Sequence, residues 1–321
     1  VLATGELVPA LIHFALIVVF SVGLFAFAFY IASLKYKKFY MEEHSSISGF
    51  SASSKYCAKS PIHAVLDREC LNIFRSSNYT FQFLLIVVIT PLLIFFSNRI
   101  ANYAMYQSFM NVGEADFALG ISFEISLFIT MVLIPLASSF AASNISREGH
   151  NIYHTKLIPV SFRKQLFTKA SLVFVPIFLS IIVGVTLSML RHEITTGAGY
   201  YADGLRGVEV IQILVIATSM AIGYICLGTY IDLCKPLCNQ ISTGELTKAT
   251  THANFIIVLG SIIGVGFGAL GLLSVFSDSI GFGMDAEIFR WFLIAFSIVF
   301  GAVFATLLFV DGPNRYRKLE Q

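Results

Sequence analysis

The chain has 321 residues, of which 56% are hydrophobic and 12% charged, with a formal net charge of +2 and a mean hydropathy of +0.79. A soluble domain carries about twice that share of charge to keep its surface in water, so an ordinary soluble fold is excluded. The small net charge offers no field for nucleic acid. The five cysteines, Cys57, Cys70, Cys226, Cys234 and Cys238, form no C-x-x-C pair and imply neither a disulfide framework nor a zinc site.

Taken in order, seven apolar runs are long enough, or nearly so, to cross a bilayer as helix: residues 7–34, 80–97, 117–142, 170–190, 208–231, 253–277 and 288–310. None shows the alternation of a membrane β-barrel, so the expected fold class is an all-α polytopic membrane protein. Of the 21 Lys and Arg residues, all but Arg99, Arg191, Arg206 and Arg290 fall in 35–79, 143–169, 232–252 and 311–321. The positive-inside rule then puts those four segments in the cytosol, the N-terminus outside and the C-terminus inside. The expected organisation is the last transmembrane helix of a preceding module (residues 1–40), a serine-rich cytosolic linker (41–60) and an amphipathic interfacial helix (61–79). A six-span module (80–310) and a cytosolic tail (311–321) follow. The Val-Leu start and the odd span count fit the later portion of a longer protein.

Ahead of the second run, Ser60 and Pro61 supply a helix cap and a first residue with no amide hydrogen to lose. Ile62, Val65, Leu66, Cys70, Ile73 and Phe74 then recur at helical spacing, with Asp67, Arg68, Glu69 and Arg75 off that stripe. Such a helix is expected to lie in the membrane surface with its charges toward the cytosol. The stretch NISREGHNIYHTKLIPVSFRKQ, residues 144–165, is expected to form a short helix stopped near Leu157 by Pro159, with Ser161 opening the next helix. Its polar side chains suit docking rather than catalysis.

Three segments carry a resemblance. Ser146-Arg147-Glu148-Gly149, then Lys156-Leu157-Ile158-Pro159-Val160-Ser161 and Lys164-Gln165, resemble the first cytosolic loop of ABC-2 type transporter permeases. Arg68, Glu69, Arg75 and Ser76 resemble the same family's segment ahead of its first span, and Asp232, Lys235, Pro236 and Leu237 its Asp-x-x-x-Pro-x-Leu run. The resemblance implies a permease subunit in the cytoplasmic (inner) membrane of a prokaryote, paired with a second six-span module. A separate ABC ATPase would bind ATP and Mg²⁺, so this chain would be no enzyme and hold no cofactor. Arg147, Glu148, Gly149, Lys156, Pro159 and Ser161, with Arg68, Glu69 and Arg75, would couple to that ATPase. The chain itself has no G-x-x-x-x-G-K-[ST] phosphate loop.

Other candidates stand on residue chemistry alone. Glu124 lies inside a span, where an acid is a pathway or proton site, or else a packing residue hydrogen-bonded to Ser122 or Ser126. A stand-alone channel or proton-coupled carrier built on it is the alternative function. His150 and His154, one helical turn apart, would be the start of a membrane metalloenzyme, but no further histidine boxes accompany them. Gly266-x-Gly268-x-x-Gly271 spells a dinucleotide fingerprint, yet it lies mid-span with no strand before it. Gly260, Gly264 and Gly268 read better as a small-residue stripe for helix packing. If Glu148 couples to a partner, Glu148→Lys is expected to insert normally and to abolish partner-stimulated ATP hydrolysis, measured on the reconstituted complex.

Overall fold

The computed structural model describes residues 60–75, 77–109, 115–151, 158–188, 192–196, 199–203, 207–236, 251–275 and 286–318, which belong to one compact unit, Lys59–Gln321. The first apolar run and the serine-rich linker lie outside the described residues.

Helix α1 spans Pro61–Arg75, starting where the serine–proline pair places it. The Ser60 carbonyl accepts from the Ala64 amide at 3.0 Å, and the Ser60 hydroxyl lies 2.6 Å from His63 Nδ1. Helix α2 (Ser77–Leu84) passes through a π-helical turn, Leu85–Ile89, into α3 (Thr90–Phe109). A π turn breaks the regular carbonyl ladder, and the Ile86 carbonyl accepts from the buried Ser180 hydroxyl at 3.1 Å. Then come α4 (Ala115–Ser138) and two 3₁₀ turns, Ser139–Ser143 and Ser146–Asn151. Helix α5 (Phe162–Ser188) begins directly after Ser161, as expected from Pro159. A short antiparallel hairpin follows, β1 (His192–Thr196) and β2 (Gly199–Asp203), with His192 opposite Asp203. The rest is α6 (Gly207–Cys234), α7 (Thr251–Val275) and α8 (Ala286–Thr306). A second π turn, Leu307–Asp311, leads from α8 into α9 (Gly312–Lys318).

Five helical segments are long and apolar enough to cross a membrane: Phe123–Ser143, Phe162–Leu187, Gly207–Cys234, Thr251–Ser274 and Glu287–Lys318. Each falls on one of the last five apolar runs. The run 80–97 lies within the continuous helical stretch α2–α3. The segments alternate in direction. Glu124, Glu209 and Arg290, near the starts of α4, α6 and α8, meet at one end of the bundle, together with Gly271 near the finish of α7. Glu148, beyond the finish of α4, meets Lys169 near the start of α5 and Tyr316 beyond the finish of α8 at the other.

The helices hold together through close backbone approach. Lipid is as apolar as leucine, so burying apolar side chains gives neighbouring spans little reason to associate, and tight packing must do so instead. On α7, Gly260 rests on Pro135, Gly264 on the Met131 carbonyl and Gly268 on Phe128 of α4. A Cβ at Gly264 would stand 3.1 Å from the Met131 oxygen, while one at Gly266 would meet nothing within 4 Å. Helices α6 and α8 close in the same way, where a Cβ at Gly301 would lie 2.8 Å from the Ser219 carbonyl. The outward faces are apolar too. Val258, Ile262, Trp291, Phe292, Val299 and Val303 are all exposed, a surface that would drive aggregation in water and matches hydrocarbon in a bilayer. The protein is thus a membrane-type helical bundle.

Gly264→Val is expected to cost about 1–3 kcal/mol by overpacking the α4–α7 contact. Gly266→Ala should be neutral or stabilise by up to about 1 kcal/mol, since alanine is the better helix former. Thermal unfolding of the purified protein in detergent checks both.

Candidate functional site

The turn after α4 is where the chain concentrates buried polarity. Residues 140–146 and 148 are all buried, so their backbone groups cannot turn to water and must find partners within the protein. Asp232, near the end of α6, supplies them. Its Oδ2 accepts from the Ile145 amide at 2.6 Å and the Ser146 amide at 2.9 Å, and its Oδ1 accepts from the Ser146 hydroxyl. The carboxylate thereby caps the 3₁₀ turn that starts at Ser146, satisfying amides that have no partner inside a first turn. One turn earlier on α6, Thr229 Oγ1 accepts from Asn144 Nδ2 at 2.9 Å, and Asn144 Oδ1 accepts from Arg147 Nη2 at 2.7 Å. Gly228 permits this approach, since a Cβ there would stand 3.2 Å from the Ala142 amide nitrogen.

From this capped turn Glu148 points inward. Lys169 of α5, with no exposed side-chain surface, donates at 2.6 Å both to Glu148 Oε1 and to Glu69 Oε1 of α1. Tyr316 of α9, fully buried, stands 3.4 Å from Glu148 Oε2. The Arg147 guanidinium lies over the Phe140 ring at 4.5 Å and near the Tyr79 ring at 5.8 Å. Burial pushes the Glu69 carboxyl up, but Lys169 and Arg147 beside it outweigh burial and hold it below its ordinary value. Burial likewise pulls the Arg147 guanidinium below its ordinary value, against the opposing pull of Glu69. Two cations and three carboxylates thus bind α1, the turn, α5 and α6 at one point, with α9 against it. Beside them, Tyr230 donates to Asp311 at 2.7 Å, and Arg315 pairs with the same carboxylate, fastening α9 to α6.

The coupling residues read from the sequence divide here. Glu69, Arg147 and Glu148 come together, but Glu69 and Glu148 are only 3% and 4% exposed and face the bundle. The expectation that the charges of α1 lie toward the cytosol is corrected for Glu69. It shares a face with Val65 and Ile73, one turn away on either side and both buried. Arg68 is half-buried, and Pro159 and Ser161 are exposed at the corner before α5. Gln165, fully buried, closes that corner by donating from Nε2 to the Val160 carbonyl at 2.9 Å. Gly149 lies in the 3₁₀ turn. Lys156 and His154, and the side chains of Arg75 and His150, lie outside the described residues. Among the described residues no group of three His, Cys, Asp or Glu side chains could hold a metal ion.

The sequence does not set Lys169 apart from the other basic residues of 143–169. Its signal was position: it directly precedes the fourth apolar run, where the side chain has to turn inward or find a partner. At the opposite end of the bundle, Glu124 pairs with Arg290 of α8, Nε to Oε1 at 3.1 Å, rather than serving as a packing residue tied only to serines. Arg290 Nη1 also stands 3.9 Å from Glu209 of α6.

Comparison with protein-family models, curated proteins and solved structures gives no match. The class that the fold defines is a membrane-type helical bundle whose one end is pinned by buried ion pairs.

Lys169→Met should cost about 3–5 kcal/mol, because it strands two carboxylates without their cation. Combining it with Glu69→Gln and Glu148→Gln should recover most of that loss, as read from thermal unfolding in detergent. Glu69 has a depressed folded value, so its contribution is fully present above its ordinary value of 4.5 and is lost as pH falls through the folded value below that. The unfolding temperature should therefore drop on acidification below about 4.5, and Glu69→Gln should flatten that part of the profile. Glu148→Lys would place a second ammonium against Lys169, so its expected outcome is now loss of folding rather than selective loss of coupling.

Proposed function

We propose that this chain is the membrane-spanning permease subunit of a transporter driven by a separate ABC ATPase, and that residues 144–161 are the element the partner moves. The observation that carries the reading is the buried knot at Lys169. A turn outside the spans is fastened through Glu148 to α5, through Ser146 to α6 and through Lys169 to α1. A push on such a turn is transmitted to several spans at once, because packed elements shift as units rather than deform continuously. The resemblance to ABC-2 permeases supplies the class of motor: the ATPase would hold ATP and Mg²⁺, and a second six-span module would complete the pathway. On this reading the surface a partner touches is formed by exposed Pro159, Ser161, Arg163 and Lys164, while Glu69, Arg147 and Glu148 hold that surface in place. The membrane is the inner membrane of a prokaryote, with these residues on the cytosolic side, and the α2–α3 stretch is a further span.

A second reading, a proton-driven carrier, is favoured by Glu124, a fully buried acid within a span. Purification in mild detergent with identification of co-purifying subunits, followed by flux assays in proteoliposomes, separates the two. The permease reading expects a nucleotide-binding subunit and flux that needs ATP. The double variant Arg163→Glu, Lys164→Glu should leave the unfolding temperature unchanged and abolish stimulation of the partner's ATP hydrolysis. Substrate flux by the chain alone without nucleotide would overturn the permease reading.

A further inference from the structure

The end of the bundle remote from Lys169 holds a charge arrangement that the permease reading does not use. Glu124 of α4 is fully buried, and its two oxygens differ in surroundings. Oε1 accepts from Arg290 Nε at 3.1 Å, whereas among the described residues Oε2 has no hydrogen-bond partner. That second oxygen packs against the Cα of Gly271 on α7, where any side chain would collide with it. The neighbouring Ser274 hydroxyl is turned to the Gly271 carbonyl at 2.7 Å. The Arg290 guanidinium lies over the Phe123 ring at 3.8 Å and reaches toward Glu209 Oε1 of α6 at 3.9 Å. Arg290 and Glu209 keep 16% and 17% of their side chains exposed, and Glu124 none.

The charged groups that face Glu124 among the described residues are therefore Arg290 from α8 and Glu209 from α6. On α3, Arg99 lies over its own Phe95 at 5.7 Å. The stretch of α5 from Ala170 to Ser188 carries no charged residue, and neither does α7. Two carboxylates thus lie within reach of one guanidinium. A buried carboxylate oxygen with no donor is costly to hold, and the smallest ligand that relieves it is a proton.

We propose that Glu124 is a proton-binding site of the bundle, and that Arg290 passes from Glu124 to Glu209 when the proton is bound. The proton arrives from the aqueous end past the half-open Arg290 and Glu209 pair and settles on Oε2. A neutral Glu124 no longer holds the guanidinium, and Glu209, the other carboxylate within reach, takes it. Because Glu124 belongs to α4 while Glu209 belongs to α6, the exchange changes which span is tied to α8. The site rests only on the chain's crossing a membrane and holds whether or not an ATPase drives transport.

Dicyclohexylcarbodiimide tests this, since it modifies protonated carboxyl groups in apolar surroundings. The full chain in lipid nanodiscs is treated across a range of pH, and modified peptides are quantified by mass spectrometry. Glu124 is expected to be modified, with the rate falling about tenfold per pH unit on the alkaline side of its titration. Glu209→Gln removes the competing carboxylate, keeps Arg290 on Glu124 and should lower modification of Glu124 severalfold. Arg290→Gln should raise it and flatten its pH dependence. Glu124 left unmodified at every pH would overturn the site, and so would modification independent of pH in the unaltered chain. Equal modification in Glu209→Gln and the unaltered chain would overturn the exchange. Elution of each variant as a single monodisperse species establishes that it is folded before labelling, and Glu124→Gln gives the zero of the assay. None of these readouts involves nucleotide or a partner, so failure here leaves the permease reading standing.

Discussion

An ammonium group with no exposed surface, held at 2.6 Å from two carboxylates that belong to different elements, organises one end of this bundle. Removing charges from water is expensive, by several kcal/mol for each ion even after relaxation. The expense is tolerable only where partners are in direct contact and the remaining valences are occupied. Most of them are occupied here: Asp232 by two amides and a hydroxyl, Glu148 by Lys169 with Tyr316 close by, and Arg147 by Asn144 and the face of Phe140, although Arg147 Nη1 has no hydrogen-bond partner among the described residues. Because each group depends on the others, the knot sets the positions of α1, the turn and α9 together. Apolar residues of the same volume would bind those elements as tightly but without a fixed register.

The spans themselves are joined by a different force. Their outward faces are mostly apolar, and nothing in hydrocarbon distinguishes one leucine-rich helix from the next. Registration between α4 and α7 comes instead from glycines that let one backbone settle against the other, with Pro135, Met131 and Phe128 each opposite a residue lacking a side chain. Gly271 extends the same row to Glu124. The stripe that packs the helices therefore also brings a bare backbone against the buried acid, which is why its second oxygen finds no donor there.

The two ends thus divide the work. At the Lys169 end every buried charge has a close partner and several elements converge, an arrangement suited to transmitting force without yielding. At the Glu124 end, among the described residues, one guanidinium lies between two carboxylates, one sealed and one half-open, an arrangement that can change hands. A rigid contact at one end and an exchangeable one at the other would suit the moving permease proposed above.

Hydropathy alone located the apolar segments, because crossing hydrocarbon demands a length of helix that no local context can disguise. Ser60 with Pro61, and Pro159 with Ser161, also marked the starts of α1 and α5 correctly, since caps and proline act through the local backbone. The glycine spacing announced a packing stripe for the same reason: period is a property of the chain. The partners of charged residues were a different matter. From the sequence Glu69 is expected to face water, Lys169 is one of several loop cations, and Glu124 stays open between a pathway or proton site and a packing residue tied to serines on its own helix. Pairing of Lys169 with Glu69 joins residues 100 positions apart, and of Arg290 with Glu124 residues 166 apart. A charge at the edge of an apolar run looks the same in the text whether it turns to water or to a buried partner. Only the packing of distant helices, which removes the water, decides between them.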